Sequence, residues 1–167
     1  MSESDETLDL VAKKTVLRQF TYGLSVVAAA HGEERGIFTA NWISQVSFDP
    51  PLVMVSVERA SSTLPLIIGS GTFVIAPLPE GTRELAGALG KPKSRAGDKY
   101  EAVGIETVST GCGILVPRSV LGYVTCKVIS ITDAGDSVMV LGQVVEAVSF
   151  DPGLPLTMRD AGFRHAG

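Results

Sequence analysis

Arg59, Ser61, Ser62 and Thr63 place a guanidinium and three hydroxyls within five residues, a composition suited to holding a phosphate. They follow residues 52–57 (LVMVSV), a short, apolar, β-branched run that reads as a core strand. Residues 64–68 come next, where Ser61, Ser62 or Thr63 can cap a helix and Pro65 in the first turn costs no intrahelical hydrogen bond. Gly69 is expected to stop that helix. A helix N-terminus offers unpaired N–H groups and a partial positive charge, and Arg59 can add a bidentate clamp. Taken alone, the same spacing also describes an ordinary capped helix after a strand. Upstream, a strand carrying Thr, Asn, Trp and Gln runs into a rigid Asp49-Pro50-Pro51 corner, bringing a second polar set toward the hydroxyl turn.

The elements that must position these groups follow from periodicity and punctuation. Leu8, Val11, Ala12, Val16 and Phe20 recur at helical spacing, so the first segment reads as an amphipathic helix closed by Gly23, its apolar stripe serving packing. Residues 25–30 read as a strand, 31–36 as a polar turn and 37–47 as the returning strand. Residues 73–76 give another strand, and 82–89 a short helix capped by Thr82 and ended by Gly90. The stretch 91–113 shows little periodicity and reads as a long, lid-like loop with one short element near 100–103. Its basic run KPKSRAGDK, residues 91–99, is either a solvated loop or a flap attracting anionic nucleotides. Residues 122–131 and 137–149 form two long strands joined through 133–136, with Gly142 marking a bulge or bend. Many strands, few helices, no β-α-β alternation and no G-x-G-x-x-G favour an antiparallel barrel over a dinucleotide-binding α/β fold.

Composition narrows the function classes. With 167 residues, 45% hydrophobic and 19% charged, the chain fits one globular domain, residues 10–167, behind a flexible N-terminus, residues 1–9. Its positive mean hydropathy leads us to expect a homodimer that covers apolar surface. No apolar run is long enough for a membrane span, and the acidic start lacks a secretory signal, so a cytoplasmic location is expected. A net charge of −4 argues against a nucleic-acid surface. Cys112 and Cys126 are too few for a disulfide framework, and Cys126, alternating with Val124 and Val128, reads as a small buried hydrophobe. His31 and His165 are the only histidines, and no metal site can be assembled around them.

The string FTANWISQVSFDPPLVMVSVE from Phe38 to Glu58, followed by Ser61-Ser62-Thr63, resembles the flavin reductase-like, FMN-binding split-barrel family. The resemblance continues through Phe73-Val74-Ile75, Asp98-Lys99-Tyr100, GYVTCKVIS, DAGDSVMVLGQVVEA and the terminal PLTMRDAGFRHAG, covering the chain from about Leu10 onward. It implies a mostly β, antiparallel Greek-key split barrel with short peripheral helices. It further implies FMN, with FAD as the alternative, and NADH or NADPH as electron donor. The ring would lie along Phe38, Thr39, Ala40, Asn41 and Trp42, with Gln45, Val46 and Ser47 continuing the wall. Ser56, Arg59, Ser61, Ser62 and Thr63 would hold the phosphate end, with Lys99 as a further candidate. Arg159, Phe163 and His165 on the tail would approach flavin or nicotinamide. For Trp42, plain core packing is an equal reading.

The implied activity is hydride transfer from a nicotinamide to a flavin that then serves a partner such as a monooxygenase. Such chemistry needs no general base from the protein, which agrees with a chain holding two histidines and no evident nucleophile. One position departs from the family: Ser137 follows Gly135-Asp136 where many relatives carry histidine. That departure keeps open a tight FMN carrier reduced by a protein donor. A non-catalytic module for a flavin, deazaflavin or haem is the third reading.

Overall fold

The computed structural model describes residues 8–150 and 152–164. The chain begins with α1 (Leu10–Leu17) and four strands, β1 (Ser25–His31), β2 (Glu34–Ala40), β3 (Ile43–Ser47) and β4 (Leu52–Glu58). Helix α2 (Leu64–Ser70), strand β5 (Thr72–Pro77) and three helices follow, α3 (Arg83–Leu89), α4 (Lys93–Ala96) and α5 (Lys99–Val103). A small pair, β6 (Thr107–Ser109) and β7 (Leu115–Pro117), precedes the long strands β8 (Gly122–Ala134) and β9 (Ser137–Ser149) and the terminal α6 (Met158–Ala161).

Seven strands form one antiparallel sheet in the order β2-β1-β5-β8-β9-β4-β3. Its two edge strands, β2 and β3, are consecutive in the chain and separated only by Asn41 and Trp42. The sheet must therefore roll until its edges meet at that dipeptide, where Ser56 N on β4 donates to the Trp42 carbonyl at 3.0 Å. No ladder joins β2 to β3, so the barrel is split along this seam. The single strand expected over 37–47 is thus two strands that pair with different neighbours, β2 with β1 and β3 with β4.

Alternation along the strands separates two cores. Val27, Val55, Val57, Phe73, Cys126 and Val140 fill the barrel interior, and α2 closes it with Leu66 and Ile67. Val26, Ala28, Val74 and Ala76 face outward and are covered by Leu89 of α3, Tyr100 of α5 and Val116 of β7. β1 and β5 are consequently buried on both faces, which explains their unbroken apolar runs.

Two glycines do work the sequence did not assign correctly. Gly142 lies between two slips in the register of β8 and β9, one leaving Ile129 extra on β8 and the other leaving Val145 extra on β9. Gly142 itself is required because a Cβ there would sit 2.6 Å from Phe73 Cζ and 2.9 Å from Cys126 Cβ. Gly69 does not end α2; it lies within the helix, where a Cβ would meet His31 Cδ2 at 2.7 Å, and Gly71 at φ 65° supplies the left-handed cap.

The first helix is shorter than its periodicity predicts, ending at Leu17, and Asp9 caps it by accepting from Val11 N and Ala12 N. None of its residues is buried, and Val11 and, beyond its end, Phe20 stay exposed, so its apolar stripe is left uncovered by the described residues. The stretch 91–113 is not one loop but contains α4, α5 and β6. Its order comes from side chains that reach to neighbouring strands: the Tyr100 hydroxyl donates to the Leu115 carbonyl of β7 at 3.0 Å, and Asp98 accepts from Arg35 of β2. No described helix is long and apolar enough to cross a membrane.

Candidate functional site

The seam produces a cleft. A roll of sheet whose edges do not bond leaves backbone and side chains of β2, β4 and β9 facing an open groove. That groove, about 190 Å³, is lined by Phe38, Thr39, Ala40, Asn41, Trp42, Ser56 and Ser137 from the strands. Glu58, Ala60 and Ser61 close one end, and Gly90, Lys91, Pro92 and Lys99 form the facing wall.

The two walls are tied together. Thr39 Oγ1 donates to the Ala86 carbonyl of α3 at 2.7 Å, fixing the helix layer against β2. Lys99 Nζ donates to the Leu89 carbonyl at 2.6 Å and is otherwise enclosed, with burial lowering its pKa. An ammonium has three donors, so two remain for an anion in the cleft. Asp98 caps α5 by accepting from Tyr100 N at 2.9 Å and receives Arg35 Nη2 at 3.0 Å. Burial opposes ionisation of Asp98, but the bonds from Arg35, Tyr100 and Glu101 outweigh it and hold the carboxyl below its ordinary range. Burial raises the Tyr100 hydroxyl well above its ordinary pKa, so it acts as a donor and not as an acid.

One atom marks the groove as a binding surface. Asn41 Nδ2 is buried and has no hydrogen-bond partner among the described residues. Burying an amide donor without a partner costs roughly 1–3 kcal/mol, which a ligand acceptor in the groove would recover.

The expected site residues separate into groups. Phe38 through Trp42, Ser56, Ser61 and Lys99 share the groove. Ser62 lines a second cavity that continues from it. Thr63 is 2% exposed and turned inward, its hydroxyl close to Gly36, where a Cβ would lie 2.6 Å from Thr63 Oγ1. Its side chain makes no cap bond; Ser61 Oγ accepts from Thr63 N at 3.3 Å instead. Arg59 points to the β8–β9 turn, donating from Nη2 to Asp133 Oδ1 at 2.7 Å and from Nε to the Gly135 carbonyl at 3.0 Å. Gln45, Val46 and Ser47 lie on β3 outside the lining of the groove, Gln45 donating to the Ser47 carbonyl.

Arg159 and Phe163 lie elsewhere, in a cleft of about 570 Å³ built by residues 17–22 and the tail. Helix α3 stands between the two clefts, with Ala86 touching Thr39 and Gly87 facing Phe163. His165 lies outside the described residues. Glu58 and Ala60 fall within the expected phosphate segment and Lys91 and Pro92 within the basic run without having been singled out, and Gly90 was read only as the end of a helix.

Ser137 is 3% exposed and its Oγ donates to Asp136 Oδ1 at 3.1 Å, so a small hydroxyl occupies this part of the groove wall. Among the described residues no group of His, Cys, Asp and Glu could hold a metal ion. Cys126 is sealed in the barrel, and burial pushes its thiol up to about 12.

The fold is a mostly β, antiparallel split barrel with a polar groove at its seam and lysines on the facing wall, an arrangement suited to an anionic ligand. The chain belongs to the family described as flavin reductase like domain, whose model matches residues 17–167. The reductase component of a 4-hydroxyphenylacetate 3-monooxygenase from Thermus thermophilus is 30% identical over 154 residues, 92% of this chain and 94% of that protein. Among solved structures, a homologue of nitrilotriacetate monooxygenase component B from Mycobacterium thermoresistibile is 26% identical, with TM-score 0.78 over 88% of this chain and 79% of that one. An NADH:FAD oxidoreductase of Streptomyces globisporus has TM-score 0.81 at 23% identity, covering 94% of this chain and 92% of that one, a likeness of fold. These relatives support an oxidoreductase that works on flavin.

Proposed function

We propose that this chain is an NAD(P)H-dependent flavin reductase that binds FMN or FAD in the seam groove and supplies reduced flavin to a monooxygenase partner. The observation that carries the reading is Asn41, a residue of the groove lining whose buried Nδ2 has no hydrogen-bond partner among the described residues, in a groove whose other wall presents Lys91 and Lys99. Flavins offer the complementary set: hydrogen-bond acceptors on a flat ring at one end and phosphate at the other.

When bound, the flavin supplies the hydride-accepting chemistry, and the chain supplies position and environment. Asn41 donates to a ring acceptor and is thereby satisfied. Phe38, Ala40 and Trp42 give apolar cover, excluding water from one side of the groove. Ser56 and Ser61 lie toward the phosphate end, where the ammonium groups of Lys91 and Lys99 neutralise charge. Thr39 holds α3 in place and acts through that helix. The name of the Thermus relative, a monooxygenase reductase component, supports the partner class. Exposed Phe48 and Val11 favour a homodimer that covers them.

The reading is tested by anaerobic titration of purified protein plus FMN or FAD with NADH and then NADPH, following the flavin's visible band. Rapid bleaching with either donor is expected. A second reading rests on Ser137: a flavin retained through dialysis, inert to both nicotinamides and reduced by a small iron–sulfur donor protein would make the chain an electron carrier.

A further inference from the structure

The cleft at the tail, about 570 Å³, carries a charge opposite to that of the chain. Arg18 at the end of α1 and Arg159 and Arg164 of the tail line it, and no carboxylate does, although the chain as a whole stands at −4. None of the three arginine side chains makes an ion pair or a hydrogen bond among the described residues. The neighbouring acid, Asp160, is engaged by Thr157, whose hydroxyl donates to it at 2.6 Å. Phe20, Tyr22 and Phe163 share the lining, with the Phe20 and Tyr22 ring centroids 6.4 Å apart and Phe20 55% exposed. Backbone bonds fix the two lips: Met158 N donates to the Tyr22 carbonyl at 2.9 Å, Gly23 bridges to Thr157, and Phe163 N donates to the Met158 carbonyl at 3.0 Å.

We propose that this cleft binds a small aromatic carboxylate and that its occupancy is passed through α3 to the seam groove. Exposed rings beside guanidiniums that lack counter-ions favour a ligand with a flat apolar body and an anionic end. Guanidinium forks match the two oxygens of a carboxylate. The lining holds no lysine and no serine, the residues that the seam groove offers to a phosphate, so the carboxylate is the better fit. Helix α3 carries the link. Arg83 donates from Nε to the Ala161 carbonyl, and its guanidinium lies 5.9 Å from the Phe163 ring centroid. Gly87 gives that ring its seat, since a Cβ there would lie 3.5 Å from Phe163 Cζ. One residue earlier, the Ala86 carbonyl accepts from Thr39 of the groove, and Gly90 beyond the end of the helix lines the groove itself. A ligand that fixes Phe163 therefore steadies the helix that holds the groove's facing wall, and by linkage each ligand tightens the other by the same factor. The site stands apart from the flavin reading, and only the link rests on it.

The test is calorimetric titration of the full chain, Arg18→Gln and Arg159→Gln with 2-naphthoate and with its neutral analogue 2-naphthamide. Both arginines are exposed, so the substitutions spare the fold. Saturable binding of 2-naphthoate is expected, at least about tenfold tighter than that of the amide. Each variant should weaken it by about fivefold, the scale of one exposed charge pair. Saturating 2-naphthoate should tighten FMN by about fivefold and slow amide-hydrogen exchange in α3. Equal affinity for acid and amide, or no binding, would overturn the proposal. Competition between 2-naphthoate and FMN would put the naphthoate in the seam groove and overturn it equally. AMP that binds more tightly than 2-naphthoate and loses affinity in both variants would give the cleft to a nucleotide, with the same consequence. Naphthoate binding that leaves FMN affinity and α3 exchange unchanged would overturn the link. If no flavin binds, the reading of the groove falls, while naphthoate binding and α3 exchange still decide this site.

Discussion

The groove has two walls of different construction. One is strand: Phe38–Ala40, Ser56 and Ser137 stand on β2, β4 and β9, which pack into the barrel core, and Asn41 and Trp42 continue from the end of β2. The opposite wall is short helix and connection: Gly90 to Pro92 and Lys99, held by Thr39 to α3 and by one lysine bond to the Leu89 carbonyl. The strand wall cannot move without opening the barrel core, whereas the helix wall packs on the outer face of β1 and β5 through Leu89 and Tyr100 and is tied to the groove by two polar contacts. Shape is therefore assigned to the strands and charge to the helices, and perturbing the first should cost stability while perturbing the second should cost affinity.

The largest expected effect breaks the strand wall from behind. Gly142→Ala forces a methyl group against Phe73 and Cys126, both within 3 Å, and overpacking of this kind destabilises by about 3 kcal/mol at its upper end. Denaturant unfolding is expected to show that loss, and an unchanged midpoint would mean that the barrel interior is looser than its contacts state. The same interior sets an alkaline limit. Cys126 has a folded pKa near 12 against an ordinary value of 9.0, so its thiolate forms first in the unfolded chain. Its contribution to stability is complete below pH 9 and is lost as pH rises toward 12. Cys126→Ala should flatten that part of the stability profile.

On the helix wall, Lys99→Met keeps most of the stem and removes the ammonium. A charged hydrogen bond is worth roughly 1.5–3 kcal/mol, so flavin affinity is expected to fall at least about tenfold. Stability should fall by less than affinity does, because loss of the bond to the Leu89 carbonyl is offset by relief of a buried charge. Equal losses in both measurements would erase the distinction between the walls. Thr39→Val cuts the tie between them. Loss of its bond to Ala86 should cost about 1 kcal/mol and loosen α3, raising exchange of its amide hydrogens while β2 stays protected.

How much of this was legible follows the same division. The strand wall could be read because β4 and β9 announce themselves by apolar alternation and the Phe38–Glu58 string fixes its own register. The break of one apparent strand at Asn41-Trp42 could not, since it follows from which neighbours each half pairs with, and pairing is long-range. The helix wall was obscured because α4 and α5 are four and five residues long, too short for a periodic signal, and gain their order from Tyr100 reaching to β7 and Asp98 to Arg35 of β2. Gly69 looked like a helix stop because local chemistry cannot show His31 lying against it.

The smallest expected effect concerns Arg59, where residue type and geometry give different answers. Its composition suits a phosphate clamp, yet its guanidinium is half-exposed and engaged with Asp133 and Gly135 at the β8–β9 turn. An exposed pair of this kind contributes under about 1 kcal/mol, so Arg59→Ala should barely shift the unfolding midpoint. Its effect on flavin binding then decides which wall it serves. If the turn contact is its role, FMN affinity should change by less than about twofold, the response of a residue outside the groove. A tenfold loss would mean that the guanidinium leaves Asp133 for the phosphate, which a weak surface pair permits. Charge would then come from the strand side as well, and the division between a shaping wall and a charging wall would fail at its most exposed point.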